Sequence, residues 1–391
     1  MDKKNNPIKI SFFTTTRAES AYLISLLDFI QKDNRFDFSL YVGGTHLAHE
    51  YGLTIKEIEN SGHKVTGKFD YLLNGDTSYS LGASAGIAIS QLNYVFEYGE
   101  FDYVCVFGDR YEILSIIQLA IIYRKPIIHI GGGEYTLGVI DEQIRHMVTK
   151  ASHLHFTNCE EYANNILRMG ESNWRVENTG SLAIDSIINI EQITKKDLFR
   201  DLGLKISVPL VLMTYHPVTL EYEIDSISQI NNIFRVLKQF NFQVIVTDPN
   251  IELDSLKIKQ TIYNWVETND NYHFFHSLGF QKYHSLIPHC KLVLGNSSSG
   301  IIEVPYFKIP TINIGDRQSG RVKHESIIDV GYSTESIKSG IEKALSKTFC
   351  KQLSSMNYKF GDGHAAERII NKLATLKIDQ NLLRKELDFS L

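Results

Sequence analysis

Short apolar runs alternate with longer amphipathic segments along most of the chain. Two runs in the first half, at 103–107 and 126–130, are apolar on both faces, as strands buried between helices are. Strands alternating with helical patterns predict βαβ units and a parallel sheet. The strands predicted in this half lie at 8–13, 38–42, 103–107, 126–130 and 154–156.

The same alternation begins again in the second half, with predicted strands at 209–214, 243–246, 291–294 and 309–313. We therefore predict an α/β protein of two doubly wound, Rossmann-like parallel-sheet domains facing a central cleft. The first domain is expected at 1–185 and the second at 186–360. A last segment, 361–391, contains a helical pattern after two glycines.

Length and composition agree with this picture. The 391 residues suit two domains, and 43% hydrophobic and 22% charged residues are ordinary for a globular chain. A formal charge of −5 argues against a nucleic-acid partner. No apolar run approaches the roughly 20 residues of a membrane helix, and the first residues are unlike a secretory signal. We therefore expect a cytoplasmic protein whose four scattered cysteines are reduced thiols.

Acidic residues follow two strands of the first half. Asp109 comes after the strand at 103–107, and Glu134 comes after the next strand and three glycines. Asp141 stands in the first turn of the helix that follows. Because doubly wound sheets bind ligands at the carboxyl ends of their strands, these carboxylates are candidates for acid–base catalysis. The structural alternatives are a helix cap, a flexible turn and a favourable charge at a helix N-terminus.

The second half places other chemistry after its strands. His216 follows the strand at 209–214 and is a candidate for proton transfer or phosphate binding. A glycine-serine turn with Ser297, Ser298 and Gly300 leads from a strand into a helix start, where backbone N–H groups and hydroxyls favour an anion. Glu303, one turn further, is within reach of a ribose. The structural alternative is an ordinary capped helix.

Two arginines follow the last predicted strand. Arg317 and Arg321, with neighbouring glycines, suit a diphosphate because guanidinium groups match phosphate oxygens. No Walker A loop is present, and the first strand lacks the Gly-x-Gly-x-x-Gly that follows it in nicotinamide dehydrogenases. No histidine or cysteine spacing fits a metal, so no metal or redox cofactor is expected.

Taken in order, several strings resemble the hydrolysing UDP-N-acetylglucosamine 2-epimerases of sialic acid biosynthesis, from about residue 9 to about residue 376. The resemblance implies a GT-B-type fold that binds a sugar nucleotide between its two domains, and a last helix that crosses back to the first domain. It also implies a homodimer or homotetramer. The strings are Gly108-Asp109-Arg110-Tyr111-Glu112, Gly132-Gly133-Glu134, Asp141-Glu142 with Arg145-His146, Thr149-Lys150, Gly295-Asn296-Ser297-Ser298-Ser299-Gly300, Glu303-Val304-Pro305 and Ile312-Asn313-Ile314-Gly315-Asp316-Arg317-Gln318.

Roles for individual residues follow from the resemblance. It implies catalysis by the acids Asp109, Glu134 and Asp141, and a catalytic or phosphate-binding role for His216. The residues that match nucleotide-binding positions are Arg17, Ser297, Ser298, Glu303, Arg317 and, against the uracil, Tyr283.

The reaction implied by the resemblance converts UDP-N-acetylglucosamine to N-acetylmannosamine and UDP. It proceeds by elimination to a glycal followed by addition of water. Two departures from the usual sequence of the family lie near the expected sugar pocket. The loop at 15–21 keeps Arg-Ala-Glu but loses two glycines and an aromatic residue, and Gly131 stands where sialic-acid members commonly have histidine.

The resemblance also leaves an alternative substrate open, because some relatives act on sugars with a bulkier carbon-4 substituent, for which glycine at position 131 would make room. Such a substrate is UDP- or GDP-2,4-diacetamido-2,4,6-trideoxyglucose, on the way to legionaminic-type acids. Three further functions fit the same fold: a GT-B glycosyltransferase, a non-hydrolysing epimerase and a catalytically silent nucleotide-sugar sensor. The presence of three carboxylates argues against a simple transferase and against a silent sensor.

Overall fold

The computed structural model describes residues 6–73, 75, 77–137, 139–218, 225–249 and 255–389. These residues form two compact units. The first unit contains the chain up to Glu134, then Asp141–Asn189 and the segment from Phe360 onward; the second contains Tyr135–Ile140 and Ile190–Lys359. The boundary expected at residue 185 therefore falls four residues before this division.

The strands of the described chain are short and parallel. They are β1 (Ile8–Thr14), β2 (Phe36–Gly43), β3 (Gly67–Phe69), β4 (Tyr103–Phe107), β5 (Ile127–Ile130), β6 (Leu154–Thr157), β7 (Val176–Asn178), β8 (Leu210–Thr214), β9 (Gln243–Thr247), β10 (Tyr272–Phe275), β11 (Cys290–Gly295), β12 (Thr311–Ile314) and β13 (Ile327–Val330).

Each unit of the described chain has one parallel sheet. The strand order is β3-β2-β1-β4-β5-β6-β7 in the first unit and β10-β9-β8-β11-β12-β13 in the second. In each sheet the strand order reverses beside the first strand, which is β1 in the first unit and β8 in the second. Doubly wound sheets bind their ligands at this point of reversal. This layout confirms the predicted fold class.

Helices connect the strands. They are α1 (Arg17–Gln31), α2 (Ile55–Asn60), α3 (Ser78–Tyr98), α4 (Ile113–Ile122), α5 (Asp141–Ala151), α6 (Glu160–Arg168), α7 (Leu182–Asn189), α8 (Lys195–Asp201), α9 (Ser226–Leu237), α10 (Ser255–Val266), α11 (Gly279–Leu286), α12 (Ser299–Ile302), α13 (Thr334–Leu345), α14 (Lys347–Leu353), α15 (Ala365–Thr375) and α16 (Gln380–Leu383). Short 3₁₀ segments lie at Gly44–Leu47, His49–Tyr51, Asn173–Arg175, Ile287–His289 and Val304–Phe307.

Both faces of the first sheet are covered, because successive side chains of a strand point to opposite faces. In β1, Phe12 packs on one face with Leu27 of α1 and Ile369 of α15. Phe13 packs on the other face, where its ring stacks on Phe96 of α3 with ring centres 5.9 Å apart. Burial on both faces explains why these strands are apolar throughout.

The final segment packs on the first unit. The carboxylate of Asp185 in α7 accepts hydrogen bonds from the backbone N–H groups of Ala365 and Ala366, at 3.1 and 2.8 Å. These bonds satisfy N–H groups that the start of α15 leaves without helical partners. Phe360 stacks on Tyr162 of α6, with ring centres 6.1 Å apart.

The short segment Tyr135–Ile140 belongs to the second unit although both its neighbours belong to the first. The N–H of Leu137 donates to the carbonyl of Ser319 at 3.1 Å. A Cβ atom at Gly320 would lie only 2.7 Å from Cβ of Tyr135, so the segment passes directly over this glycine.

Within the described residues, no helix combines the length and the apolar composition that crossing a membrane requires.

Candidate active site

Two neighbouring strands of the first sheet end in glycines that turn the chain toward the predicted acids. Gly108 follows β4 with φ +65°, and Gly131 follows β5 with φ +82°, a region that favours glycine. The N–H of Gly108 donates to the carbonyl of Ile130 at 2.9 Å, and that of Gly131 donates to the carbonyl of Phe156 at 3.0 Å. The backbone before Asp109 is therefore fixed by its neighbouring strand.

A buried histidine supports the same turn. The Nε2 atom of His129, in β5, lies 2.8 Å from the carbonyl oxygen of Gly108. Burial, with a smaller contribution from His155, lowers the pKa of His129 to about 3, so the ring is neutral at pH 7. Because a carbonyl can only accept, the Nε2 atom carries the proton and donates. His129 thus holds the peptide that precedes Asp109.

Arg145, on α5, joins the predicted acids. Its side chain is fully buried; Nη2 pairs with Oδ2 of Asp109, and Nη1 donates to the backbone carbonyl of Glu134 at 2.8 Å. Nη1 also donates to Oε2 of Glu142 at 2.7 Å. Burial alone would lower the pKa of Arg145, but the carboxylates of Asp109 and Glu134 outweigh it and raise the pKa. The guanidinium stays charged and fixes Asp109 relative to the chain at Glu134.

Glu134 is buried and held from two sides. Its Oε1 atom accepts a hydrogen bond of 2.7 Å from Nδ2 of Asn158, which directly follows β6. Its backbone carbonyl is bound by Arg145. Asp141 begins α5, one turn before Arg145. Burial lowers the pKa of the partly buried Arg110, but nearby carboxylates, chiefly Glu112 and to a smaller extent Asp141, raise it above its ordinary value. The structure therefore gathers Asp109, Glu134 and Asp141 at the carboxyl edge of the sheet.

Sequence reasoning named Arg145 only as part of a string that carries the resemblance and gave it no role, and it did not name Asn158. Arg145 could be read as a surface partner of Asp141, but the buried face of α5 contains it together with Ile144, Val148 and Thr149. An arginine on the apolar stripe of a helix needs a buried carboxylate partner, and that position was the available signal.

In the second unit, Asn296 organises the ends of two strands. Its Oδ1 atom accepts from the N–H of His216 at 2.7 Å, and its Nδ2 atom donates to the carbonyl of His216 at 2.9 Å. The preceding Gly295 has φ +136°, and a Cβ there would lie 1.9 Å from the carbonyl oxygen of Thr214. Close packing of β8 against β11 thus requires this glycine and brings Asn296 to His216.

The predicted nucleotide-binding residues around the serine turn contact one another. The hydroxyl of Tyr283 lies 2.8 Å from Oγ of Ser299, which in turn donates to Oε2 of Glu303 at 2.6 Å. Nε2 of His284 lies 3.1 Å from the same carboxylate oxygen. Oγ of Ser297 accepts from the N–H of Ser299 at 3.4 Å. These contacts place Tyr283, Ser297 and Glu303 in one cluster.

The helix expected after this turn is very short. α12 contains four residues, Ser299–Ile302, with Ser298 before it, and continues as a 3₁₀ turn. Gly300 is required by packing, because a Cβ there would lie 2.8 Å from Cγ2 of Thr311. Its predicted part in nucleotide binding stays a prediction.

Of the predicted arginines, Arg317 is buried and its Nη1 lies 3.4 Å from the carbonyl oxygen of Asn296. Nε2 of Gln318 donates to the same carbonyl at 2.8 Å. Arg321 lies four residues further, with its N–H 3.4 Å from the carbonyl of Gln318. Arg17 is the first residue of α1 in the first unit and is half-buried.

Two Rossmann-like units with parallel sheets define a GT-B-type α/β protein, and solved structures agree. The crystal structure of UDP-GlcNAc 2-epimerase from Neisseria meningitidis bound to UDP-GlcNAc superposes with a TM-score of 0.81 at 20% identity, covering 94% of this chain and all of the other. The Methanocaldococcus jannaschii UDP-GlcNAc 2-epimerase in complex with UDP-GlcNAc and UDP gives a TM-score of 0.78 at 19% identity, covering 94% and 99%. At these identities the likeness shows the fold.

The family follows from the sequence. The model of the UDP-N-acetylglucosamine 2-epimerase family matches residues 28–374. The chain belongs to this epimerase family, which confirms the predicted resemblance.

Curated relatives carry more specific names. A GDP/UDP-N,N'-diacetylbacillosamine 2-epimerase (hydrolyzing) from Campylobacter jejuni is 40% identical over 343 residues, covering 87% of this chain and 88% of the relative. A UDP-N,N'-diacetylbacillosamine 2-epimerase (hydrolyzing) from Legionella pneumophila is 30% identical over 378 residues, covering 96% and 98%. Both relatives are named for the diacetamido sugar nucleotide that the sequence analysis gave as the alternative substrate, and not for UDP-N-acetylglucosamine, its main expectation.

Proposed function

We propose that the protein is a hydrolysing 2-epimerase of a nucleoside-diphosphate-linked 2,4-diacetamido-2,4,6-trideoxyglucose. The products are the nucleoside diphosphate and the free 2,4-diacetamido-2,4,6-trideoxymannose. The names of the relatives from Campylobacter jejuni and Legionella pneumophila support this substrate class. UDP is the first nucleotide to test, since both names include it, and GDP is the second.

The observation that carries the proposal is the arrangement around Arg145. One buried guanidinium contacts the carboxylate of Asp109 and the backbone of Glu134, and Asp141 lies one turn earlier on the same helix. Several carboxylates on a rigid support suit a reaction that removes and returns protons. Binding of a nucleotide alone would not need them.

The proposed reaction has two stages. A carboxylate takes the proton from sugar carbon 2 while the bond between carbon 1 and the diphosphate oxygen breaks, which leaves a glycal and the free nucleotide. Water then adds its oxygen at carbon 1 as a proton is delivered to carbon 2 from the opposite face. We propose Asp109, Glu134 and Asp141 for these proton transfers.

The departing diphosphate needs positive charge and hydrogen-bond donors. We propose that His216, Arg317, Arg321 and Arg17 supply them, with the hydroxyl groups of Ser297 and Ser298. The contacts that Asn296 makes with His216 and with Arg317 support this, because they fix both residues to the end of one strand. Tyr283 and Glu303 are proposed to contact the nucleoside.

Replacing Glu134 by glutamine tests the catalytic proposal. Glu134→Gln keeps the side-chain shape and the hydrogen bond to Asn158 but removes the ability to take a proton. We expect kcat to fall by on the order of 10²–10⁴-fold, with the Kd for UDP unchanged. The measurements are initial rates of UDP release and calorimetric titration with UDP.

The matched control is Glu160→Gln, which neutralises an exposed carboxylate in the first turn of α6. It is expected to leave kcat at the wild-type value. A Glu134→Gln enzyme with wild-type kcat would remove Glu134 from the mechanism.

UDP-N-acetylglucosamine is the second candidate substrate. It is favoured by a 30% identical relative from Neisseria meningitidis named UDP-N-acetylglucosamine 2-epimerase, which covers 86% of this chain. A comparison of kcat/KM for the two sugar nucleotides decides between them, and we expect the 2,4-diacetamido substrate to have the higher value.

A further inference from the structure

Three consecutive glycines follow β5, and the space that a side chain would have differs among the three positions. A Cβ at Gly132 would lie 2.8 Å from Nδ1 of His129, and a Cβ at Gly133 would lie 2.2 Å from the carbonyl oxygen of Tyr162. Close packing therefore excludes a side chain at both positions. At Gly131 the nearest atom is the backbone nitrogen of Gly108, at 3.9 Å, so a side chain there would enter open space.

Gly108, at the end of the neighbouring strand, is open in the same way, with nothing within 4 Å of a Cβ. Both glycines are half-buried, so small molecules can reach them. We call this pair, Gly108 and Gly131, the glycine floor. It is a bare piece of backbone directly before Asp109 and three residues before Glu134.

The glycine floor is rigid. The N–H groups of both glycines donate to the neighbouring strands, to Ile130 and Phe156, and the carbonyl of Gly108 accepts from the buried His129. The backbone thus offers few free polar groups to a ligand and cannot move aside. Its contribution is shape, a space that a side chain would fill.

The proposed substrate needs such a space. A carbon-4 acetamido group is much larger than the hydroxyl group of N-acetylglucosamine at the same carbon. The acids proposed for proton transfer at carbon 2, Asp109 and Glu134, follow the two glycines of the floor along the chain. A sugar whose carbon 2 faces these acids would therefore have another part of its ring over the floor. We propose that Gly131 determines specificity by leaving room, together with Gly108, for the carbon-4 acetamido group; this inference rests on the proposed function.

Positive φ alone is another reason for a glycine at 131, and the experiment must separate it from the need for space. Asparagine is among the residues that best tolerate this backbone region. Gly131→Asn therefore adds bulk at limited backbone cost, and Gly131→Ala adds the backbone cost with little bulk. The matched control is Gly52→Asn, because Gly52 has φ +84° in the same unit and nothing within 4 Å of its Cβ.

The measurements are kcat/KM for UDP-2,4-diacetamido-2,4,6-trideoxyglucose, the rate or inhibition constant for UDP-N-acetylglucosamine, and the Kd for UDP. For Gly131→Asn we expect kcat/KM for the diacetamido substrate to fall by about 30-fold or more. We expect the fold-change in the rate or inhibition constant for UDP-N-acetylglucosamine to be at least about ten times smaller than the fold-change in kcat/KM for the diacetamido substrate. The Kd for UDP should stay unchanged. Gly52→Asn should resemble the wild type.

The inference is overturned if Gly131→Asn keeps wild-type kcat/KM for the diacetamido substrate, or if both sugar nucleotides lose the same factor. If circular dichroism shows that Gly131→Asn does not fold, Gly131→Ala is measured instead. The inference then predicts a smaller loss of kcat/KM for the diacetamido substrate that still exceeds the change for UDP-N-acetylglucosamine. If the wild type acts on neither sugar nucleotide, the proposed function fails and the inference fails with it. If the wild type acts on the diacetamido substrate and the ratio is unaffected, the inference alone fails.

Discussion

Arg145 shows how one residue can determine the geometry of several others. A buried arginine is costly unless its donors are paired, and here the two terminal nitrogens bind two carboxylates and a carbonyl. The planar guanidinium fixes directions as well as charge, which a lysine ammonium cannot do. We interpret Arg145 as a positioning residue for Asp109 and Glu134.

Arg145→Lys keeps the positive charge but loses the planar guanidinium group with its several N–H donors. We expect kcat to fall about 100-fold, because the acids move by a fraction of an ångström, while the Kd for UDP changes little. Rates of UDP release and calorimetric titration give the two constants. The control is Arg168→Lys, at the exposed end of α6, which should have wild-type kcat. A wild-type kcat in Arg145→Lys would show that the guanidinium geometry has no part in catalysis.

Glu19 gives a prediction about pH. Its Oε2 atom accepts from the N–H and hydroxyl groups of Thr15 at 3.1 and 3.2 Å, and its Oε1 atom is buried with no hydrogen-bond partner in the described chain. Burial first, and then the charge of Glu112, raise the pKa of Glu19 to about 7, although Arg110 opposes the shift.

The sign of the effect on stability follows from this raised pKa. Between the ordinary pKa of 4.5 and about 7, the folded protein binds a proton that the unfolded chain does not, so stability falls as pH rises through this range. Glu19→Gln removes the cost of ionisation. We expect the Tm difference between Glu19→Gln and wild type to favour the variant more at pH 8 than at pH 5, measured by calorimetry. An equal difference at both pH values would contradict the assignment.

At the scale of single residues, the sequence located some residues of the candidate site and did not indicate the role of others. Asp109 and Glu134 follow predicted strands, so a rule about strand ends finds them. Arg145 and Asn296 act on residues far away in the chain, at separations of 36 and 80 positions. Local patterns contain no information about such partners, which only the folded chain brings together.

At the scale of elements, the long buried strands were predicted within two residues of their bounds, for example β4 and β8. The strands that the pattern missed are β3, β7, β10 and β13, which contain three or four residues each. Strands β5, β6 and β12 also contain four residues but are buried throughout, whereas the four missed strands are partly exposed and include polar residues or glycine, so they show no continuous apolar stretch. β3 and β7 lie at the edges of the first sheet, and β10 and β13 lie at the edges of the second.

The contact between β8 and β11 makes an element-scale prediction. Gly295→Ala places a Cβ in contact with the backbone carbonyl of Thr214, and neither strand can yield without losing its pairing. We expect the free energy of unfolding to fall by about 3 kcal/mol or more, measured by urea denaturation.

The control for Gly295→Ala is Gly203→Ala, since Gly203 has φ +68° in the same unit but open space at its Cβ. This substitution should cost only about 1 kcal/mol, from backbone strain alone. Equal losses in the two variants would show that the close contact is not the cause.

At the scale of the whole molecule, the sequence predicted two doubly wound units but not how the chain is divided between them. Nothing in the pattern near residue 135 indicates that Tyr135–Ile140 belongs to the second unit, because its contacts with Ser319 and Gly320 link distant parts of the chain. The homodimer or homotetramer and the cytoplasmic location stay predictions. The proposed reaction requires both the acids of the first unit and the residues proposed for nucleotide binding in the second.

The most direct test of that claim is proton NMR of the purified protein with UDP-2,4-diacetamido-2,4,6-trideoxyglucose in heavy water. Elimination and hydration predict UDP together with free 2,4-diacetamido-2,4,6-trideoxymannose that carries deuterium at carbon 2. A manno sugar still attached to UDP would contradict hydrolysis. Unchanged substrate, with either UDP or GDP as the nucleotide, would contradict the proposed substrate class.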